Sequence, residues 1–248
     1  MNNKDIEKIG FKEVLKYEAK QQCNILLNDL TLDRLEKYKN LLLEWNEKIN
    51  LTAITDEYEI IIKHFIDCLQ CTKYIQKGSN IIDVGTGAGF PGVVISIFFE
   101  NNINVTLLDS LNKRLVFLEE IIKKTNLKNV TIIHARAEEA AKETKHREHY
   151  DVVVSRAVAS LQVLLEYTTP YLKIGGKAIL MKSNSADQEI NDSKKALEVL
   201  QCKIFNVCTY VLEVGSEVFT RKIIIVEKLC KTPKSFPRIY GKIKKSPL

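Results

Sequence analysis

The run Asn80-Ile-Ile-Asp-Val-Gly-Thr-Gly-Ala-Gly-Phe-Pro-Gly92 constrains the fold of this 248-residue chain more than any other stretch. A short apolar strand enters a turn with glycine at every second position, and Pro91 suits the first turn of a following helix. Glycines let backbone approach a ligand at positive φ, and a helix start offers free N–H groups. A tight β-α turn that binds nothing is the plainer alternative. Three alternating glycines behind the first strand of a parallel sheet favour a ligand loop.

The period of the apolar residues changes at that point. Residues 1–76 read as helical, with Leu32, Leu35, Tyr38, Leu42, Trp45 and Ile49 at three- and four-residue spacing behind a Thr31 cap. Asp56 opens another helix, with Glu59 three residues on and Ile60, Ile61, His64, Phe65 and Leu69 along one stripe. From Asn80, strand-like runs at 80–84, 105–108, 130–133, 151–154 and 177–181 alternate with helix-length segments at 91–100, 111–125, 137–145, 160–172 and 185–200. Such alternation means βαβ units and a parallel sheet covered on both faces. Residues 203–212 and 218–227 then read as a hairpin. Five parallel strands closed by an antiparallel hairpin make an α/β, Rossmann-like fold typical of class I S-adenosylmethionine-dependent methyltransferases. The expected organisation is an N-terminal helical region 1–76, a methyltransferase domain 77–230 and an extended basic arm 231–248 without a core of its own.

Charge follows the same division. The net charge is +6, but residues 221–248 hold nine Lys and Arg against Glu227 alone, which leaves −2 for the rest. The N-terminus carries acids where a secretion signal needs an apolar core, and the apolar stretch 81–99 contains Asp83 and four glycines, unlike a membrane span. The six cysteines read as reduced thiols of a soluble, cytoplasmic protein, monomeric and with no membrane partner. Cys68-Leu-Gln-Cys71 and His146-Arg-Glu-His149 lack the second pair that a metal site would need, so no metal is expected.

The spacing G-x-G-x-G differs from the dinucleotide fingerprint G-x-G-x-x-G, and Asp83 would repel a pyrophosphate. Asp83 suits the ammonium of S-adenosylmethionine instead, directly or through water. Asp109 ends the second strand, where a carboxylate can accept both ribose hydroxyls. S-adenosylmethionine is therefore the expected cofactor, ahead of NAD, with Asp83, Gly85, Gly87, Gly89 and Asp109 around it. After the fourth strand stands Ser155-Arg156-Ala157 rather than the Asn/Asp-Pro-Pro-aromatic turn common in amino-group methylation of nucleobases. No cysteine ends a parallel strand to attack a pyrimidine ring. What remains is methylation of an atom that is already nucleophilic, such as guanine N7, which needs in-line positioning and no general base.

The chain resembles the bacterial 16S rRNA guanine-N7 methyltransferase family, RsmG or GidB. Matching segments are Trp45-Asn46, Asn50-Leu51-Thr52, His64-Phe-Ile-Asp67, 83–92, Leu107-Leu-Asp-Ser110 with Lys113-Arg114, Ala137-Glu138, Ser155-Arg156-Ala157, Phe236-Pro-Arg238 and Lys244-Lys245-Ser-Pro-Leu248. Ile243 where members often have proline, and Lys182-Ser183 where Lys-Gly is usual, are local departures. The resemblance implies methylation of N7 of one guanine in the decoding region of 16S rRNA, with the small ribosomal subunit or an assembly intermediate as partner. It places cofactor contacts at Gly85, Phe90, Ala137, Glu138 and Arg156. Arg156 would face the methyl-transfer pocket and pair with the cofactor carboxylate or the target nucleotide; no residue is assigned a catalytic role beyond positioning. A small-molecule methyltransferase of the same fold and a non-catalytic RNA-binding module stay open as alternatives.

Lys113, Arg114, Arg136 and Lys182 fall near the carboxyl-end rim, and with Arg221, Arg238, Lys244 and Lys245 form the expected RNA-binding set. Tyr240 beside Arg238 could stack on a splayed base, although a lone tail tyrosine usually does not. His64 and Asp67, one helical turn apart, read as a structural hydrogen-bonded pair. Trp45 reads as core.

Overall fold

Side chains alternate in direction along each strand and sort the sheet into two differently covered faces. The computed structural model describes residues 1–183 and 186–248. Three helices come first, α1 (Asn3–Ile9), α2 (Phe11–Cys23) and α3 (Asp29–Ile49). The cap of α3 is Asn28, whose side chain accepts the Thr31 N–H, so Thr31 lies inside the helix rather than at its cap. Asp56 caps the next helix by accepting the Glu59 N–H at 2.9 Å. That helix runs as α4 (Glu57–Glu59), a π-helical stretch Ile60–Ile66, and α5 (Asp67–Leu69). The wider π turn sits under His64, and such turns recur at functional sites.

The strands are β1 (Asn80–Val84), β2 (Asn104–Asp109), β3 (Val130–His134), β4 (Tyr150–Arg156), β5 (Leu172–Lys182), β6 (Cys202–Val214) and β7 (Glu217–Lys228). Helices α6 (Gly92–Phe99), α7 (Asn112–Lys124), α8 (Ala137–Ala140), α9 (Leu161–Thr168), α10 (Ala186–Asp192) and α11 (Lys194–Val199) lie between them, and α12 (Tyr240–Lys245) closes the chain. The sheet order is β3-β2-β1-β4-β5-β7-β6; β1 to β5 run parallel, and β7 pairs antiparallel with β5 and β6. Ile81, Val105, Leu107, Val152, Val154 and Ile179 point to the face covered by the N-terminal helices, α6 and α7. Ile82, Val84, Leu108, Val153, Ala178 and Leu180 point to the face covered by α9 and the later helices. The chain reverses its strand order between β1 and β4, which opens a crevice outside their carboxyl ends.

Several boundaries shift from the sequence reading. The helix expected at 137–145 ends at Ala140, and that expected at 185–200 divides at Ser193. Strand β5 begins at Leu172, ahead of the Gly175-Gly176 pair that hides its start in the sequence. Strands β6 and β7 turn at Gly215-Ser216, and their pairing continues past Lys222, where pairing of β7 with β5 stops. The hairpin tip therefore projects beyond the carboxyl end of β5.

Residues 231–248, expected as an extended arm, return onto the domain. The Arg147 guanidinium donates to the carbonyls of Thr232 and Phe236 at 2.8 and 2.9 Å, and Glu148 accepts the Thr232 N–H. Arg238 pairs with Glu166, and Ile243 of α12 is fully buried against the α9 side of the core. Burying that one side chain stabilises the docked tail by about 1.5–3 kcal/mol. Among the described residues no helix is long and apolar enough to cross a membrane.

Candidate active site

The glycine loop is braced from below. Gly85 and Thr86 donate their N–H groups to the Leu108 carbonyl, and the Tyr38 hydroxyl donates to that of Ala88. Asp83, expected to meet a cofactor ammonium, is fully buried and turned away from the cleft. Its Oδ2 accepts the Gly92 N–H at 2.8 Å and the Thr86 hydroxyl at 2.7 Å, so it fixes the loop and helix start. Burial pushes its pKa up to about 7. Gly89 likewise serves packing: a Cβ there would lie 2.7 Å from the Tyr38 hydroxyl, beneath the cleft floor. Gly85 differs. Its φ is +73°, and a Cβ would meet Val158 of the facing loop at 2.7 Å, across the mouth of the cleft.

That cleft has a volume of about 810 Å³ and lies over the carboxyl ends of β1 to β4. One end is acidic. Asp109 accepts the Gly87 N–H at 2.9 Å, the Leu111 N–H at 2.9 Å and an Arg114 N–H at 3.2 Å, which holds its carboxylate at the loop. Glu138 follows β3 on α8 and lines the same end; it is buried, and its Oε1 has no partner among the described residues. An unpaired buried carboxylate oxygen costs free energy unless a ligand donor meets it. The donor set fits an adenosine: Asp109 beside the loop for ribose hydroxyls, and Glu138 for an exocyclic amino group.

The other end is aromatic and neutral. Arg156, the last residue of β4, donates through Nη1 to the Lys63 carbonyl and to Asp67 Oδ2, both at 3.0 Å. Its Nη2 lies 3.2 Å from His64 Nδ1, and its guanidinium covers the Phe90 ring at 4.8 Å. Burial works to lower its pKa, but the nearby Cys68 thiol and the Asp67 carboxylate hold it above the ordinary arginine value. His64 stacks on Phe90 with ring centroids 4.4 Å apart, and Tyr38 stacks on Phe90 at 5.2 Å. Burial and the adjacent Arg156 charge push the His64 pKa down to about 3, so the imidazole is neutral. His64 and Asp67, expected as a hydrogen-bonded pair, do not bond each other; each bonds Arg156 instead. Asp67 also accepts the Tyr210 hydroxyl from the hairpin at 2.6 Å. Three separate segments are thus tied to one guanidinium.

The family model for rRNA small subunit methyltransferase G, GidB, matches residues 31–216, three quarters of the chain. The chain belongs to this family. Ribosomal RNA small subunit methyltransferase G of Clostridium perfringens is 46% identical over 234 residues, covering 92% of this chain and 97% of that protein. The same-named proteins of Acetivibrio thermocellus and Alkaliphilus metalliredigens are 46% and 43% identical, covering 94% and 96% of this chain and 96% and 98% of theirs. Solved structures share the fold. M. jannaschii TYW2 in complex with AdoMet superposes with a TM-score of 0.53 at 16% identity, covering 66% of this chain and 75% of that one. TrmN from Thermus thermophilus gives 0.50 at 16% identity, with coverage of 68% and 53%.

The expected basic rim of this methyltransferase G family chain is divided by the structure. Arg114, Arg136 and Lys244 line the cleft, where the Arg136 guanidinium lies over the Tyr240 ring at 4.7 Å. Lys113 and Lys245 are exposed on α7 and α12, outside the cleft wall. Arg221 lies against Phe219 on the projecting hairpin. Two assignments change. Lys182 donates to the Ala159 carbonyl and pairs with Glu189, so it supports the loop after β4 instead of facing RNA. Arg238 spends its guanidinium on buried Glu166. Leu51, Thr52, His64 and Pro247 also line the cleft without having been assigned to it, and Tyr240, set aside as a lone tail tyrosine, lines it too. They come from the helical region before β1 or from the tail, and only tertiary folding brings them together. The shared segments Asn50-Leu51-Thr52, His64-Phe-Ile-Asp67 and Lys244-Lys245-Ser-Pro-Leu248 were the local signals for four of them.

Proposed function

We propose that this enzyme transfers a methyl group from S-adenosylmethionine to N7 of one guanine in the decoding region of 16S rRNA. The observation that carries the reading is the polarity of the cleft. A buried, unpartnered carboxylate oxygen stands at one end, a neutral His64–Phe90–Arg156 wall at the other, and the glycine loop lies between. Glu138 and Asp109 would hold the adenosine, Gly85 would admit the methionine end, and Arg156 with Phe90 would border the reacting groups. Arg114, Arg136 and Lys244 at the mouth would engage RNA phosphates.

S-adenosylmethionine supplies a methyl group on a positively charged sulfur, an electrophile that needs no activation. Guanine N7 presents an unprotonated lone pair, so the protein's task is alignment rather than proton removal. A neutral His64 and an ion-paired Arg156 suit that task, since neither is free to act as a base near neutral pH. Both hold their rings and planes by packing, which fixes the reaction geometry. The soluble substrate would be the cytoplasmic small subunit or its assembly intermediate.

The test is mass mapping of 16S rRNA from cells lacking the protein. One missing 7-methylguanosine, restored by the purified enzyme with S-adenosylmethionine, is the expected result. An unchanged modification pattern would overturn the proposal.

A further inference from the structure

The Arg156 network sets the direction of a hydrogen bond that the proposed reaction has not used. Arginine carries only donors. Its Nη2 lies 3.2 Å from His64 Nδ1, and the Lys63 carbonyl, also 3.2 Å from that nitrogen, accepts Arg156 Nη1 at 3.0 Å and has a second lone pair. If Nδ1 carried a proton, it would face a guanidinium N–H and leave that donor buried without an acceptor. Nδ1 is therefore the acceptor, and Nε2 carries the hydrogen of the neutral ring.

That hydrogen points at Thr52 Oγ1, 3.0 Å away. The same oxygen also accepts the Ile54 N–H at 3.0 Å. A hydroxyl has two acceptor sites and one donor hydrogen. Both acceptor sites are taken, so Thr52 is left with its hydrogen alone, on the wall of the cleft. The chain of donors runs Arg156 to His64 to Thr52, and because arginine cannot reverse, none of the links can.

We propose that the Thr52 hydroxyl is a donor that recognises O6 of the target guanine and so rejects adenine, which presents an amino group at that position. The inference rests on the guanine-N7 reading above. N7 and O6 share one edge of guanine, so a base aligned for transfer at N7 turns O6 toward the neighbouring wall. Thr52 stands at the His64–Phe90–Arg156 end, opposite Asp109 and Glu138. The Arg156 charge there is matched by Asp67, and His64 is neutral. The wall thus suits a neutral carbonyl better than the cofactor's carboxylate.

The experiment compares small subunits reconstituted on 16S rRNA carrying guanine or 2-aminopurine at the mapped position. 2-Aminopurine keeps N7 and the 2-amino group but has hydrogen in place of O6. The wild-type enzyme is expected to prefer guanine, and Thr52→Val to reduce that preference about tenfold, the worth of one lost hydrogen bond to a buried partner. Thr52→Ser, which restores the hydroxyl, is expected to keep the preference. A preference unchanged in Thr52→Val overturns the assignment while leaving guanine methylation standing. Weaker S-adenosylmethionine binding by calorimetry in Thr52→Val, with the base preference intact, gives the hydroxyl to the cofactor's carboxylate and also overturns it. A wild-type enzyme that methylates no guanine in 16S rRNA sinks the parent reading and this inference together.

Discussion

Arg238 closes a two-pronged ion pair with Glu166, its Nε 2.9 Å from Oε1 and its Nη2 2.7 Å from Oε2, and Glu166 is fully buried on α9. The Arg238 backbone N–H adds a third bond to the same carboxylate at 2.8 Å. This pair, with Arg147 and Glu148, decides whether the tail lies on the domain, and the tail supplies Tyr240, Lys244 and Pro247 to the cleft. Arg238→Ala leaves the Glu166 charge buried without its partner, which costs about 3–5 kcal/mol. Denaturant unfolding should show that loss. A double variant, Arg238→Met with Glu166→Leu, should recover much of the stability, because a buried pair replaced by apolar groups often costs little. Equal stability of Arg238→Ala and wild type would show that the tail is held by other contacts.

Glu138 gives a direct test of the cofactor end. Its Oε1 lies buried with no partner among the described residues, while Asp109 is already engaged by Gly87, Leu111 and Arg114. Glu138→Gln keeps the shape and replaces one acceptor with a donor. Calorimetry with S-adenosylmethionine should show affinity reduced about tenfold or more. Asp109→Ala should weaken cofactor binding more than binding of small subunits, since it ties the glycine loop at Gly87 to the start of α7 at Leu111 and Arg114. Parallel losses in both measurements would place Asp109 at the RNA face.

The parallel sheet, the loop and the closing hairpin were legible because period and glycine spacing are local properties of the chain. The roles of charged residues were less so. Lys182, Arg238 and Asp83 each carry the residue type expected of a ligand-facing group, yet each bonds a partner inside the fold: Glu189, Glu166, and, at Asp83 Oδ2 alone, the Thr86 hydroxyl with the Gly92 N–H. Whether a charge faces solvent or a buried partner depends on pairings such as 166 with 238, which no spacing rule encodes. His64 was misread in the same way, because its neighbour on the helix is Asp67, whereas its bonded partner Arg156 lies 92 positions away. The tail's docking was hidden because its buried anchors, Thr232, Pro237 and Ile243, make no periodic pattern.

Arg156→Lys should separate charge from geometry. A lysine keeps the positive charge beside Asp67 but cannot reach the Lys63 carbonyl, Asp67 and His64 together, and it loses the flat face that covers Phe90. Methyl transfer to small subunits should fall about 100-fold or more, since misplacement of about 1 Å near the reacting groups has that scale of effect. The larger share of the loss should fall on kcat rather than KM. A variant with near wild-type kcat would show that the guanidinium fork does not position the site.

Asp83 and His64 titrate in opposite senses, which makes a pH test of the buried loop. Burial raises the Asp83 pKa to about 7 in the folded chain, above its ordinary value near 4. Between those values the folded state binds the proton and the unfolded state does not, so this group's contribution to stability falls as pH rises from about 4 to 7. His64 is lowered to about 3 from its ordinary value near 6.5. Over that range the unfolded state binds the extra proton, so its contribution grows as pH rises. In the wild type the two slopes oppose each other between about pH 4 and 6.5. Asp83→Asn removes one of them, and its stability should climb more steeply with pH than the wild type's over that window, by up to about 1.4 kcal/mol per pH unit. Urea unfolding at pH 5 and pH 6.5 measures the difference. A slope in Asp83→Asn no steeper than the wild type's would mean that Asp83 is ionised in the folded enzyme, with its second oxygen supplied by a donor such as an ordered water.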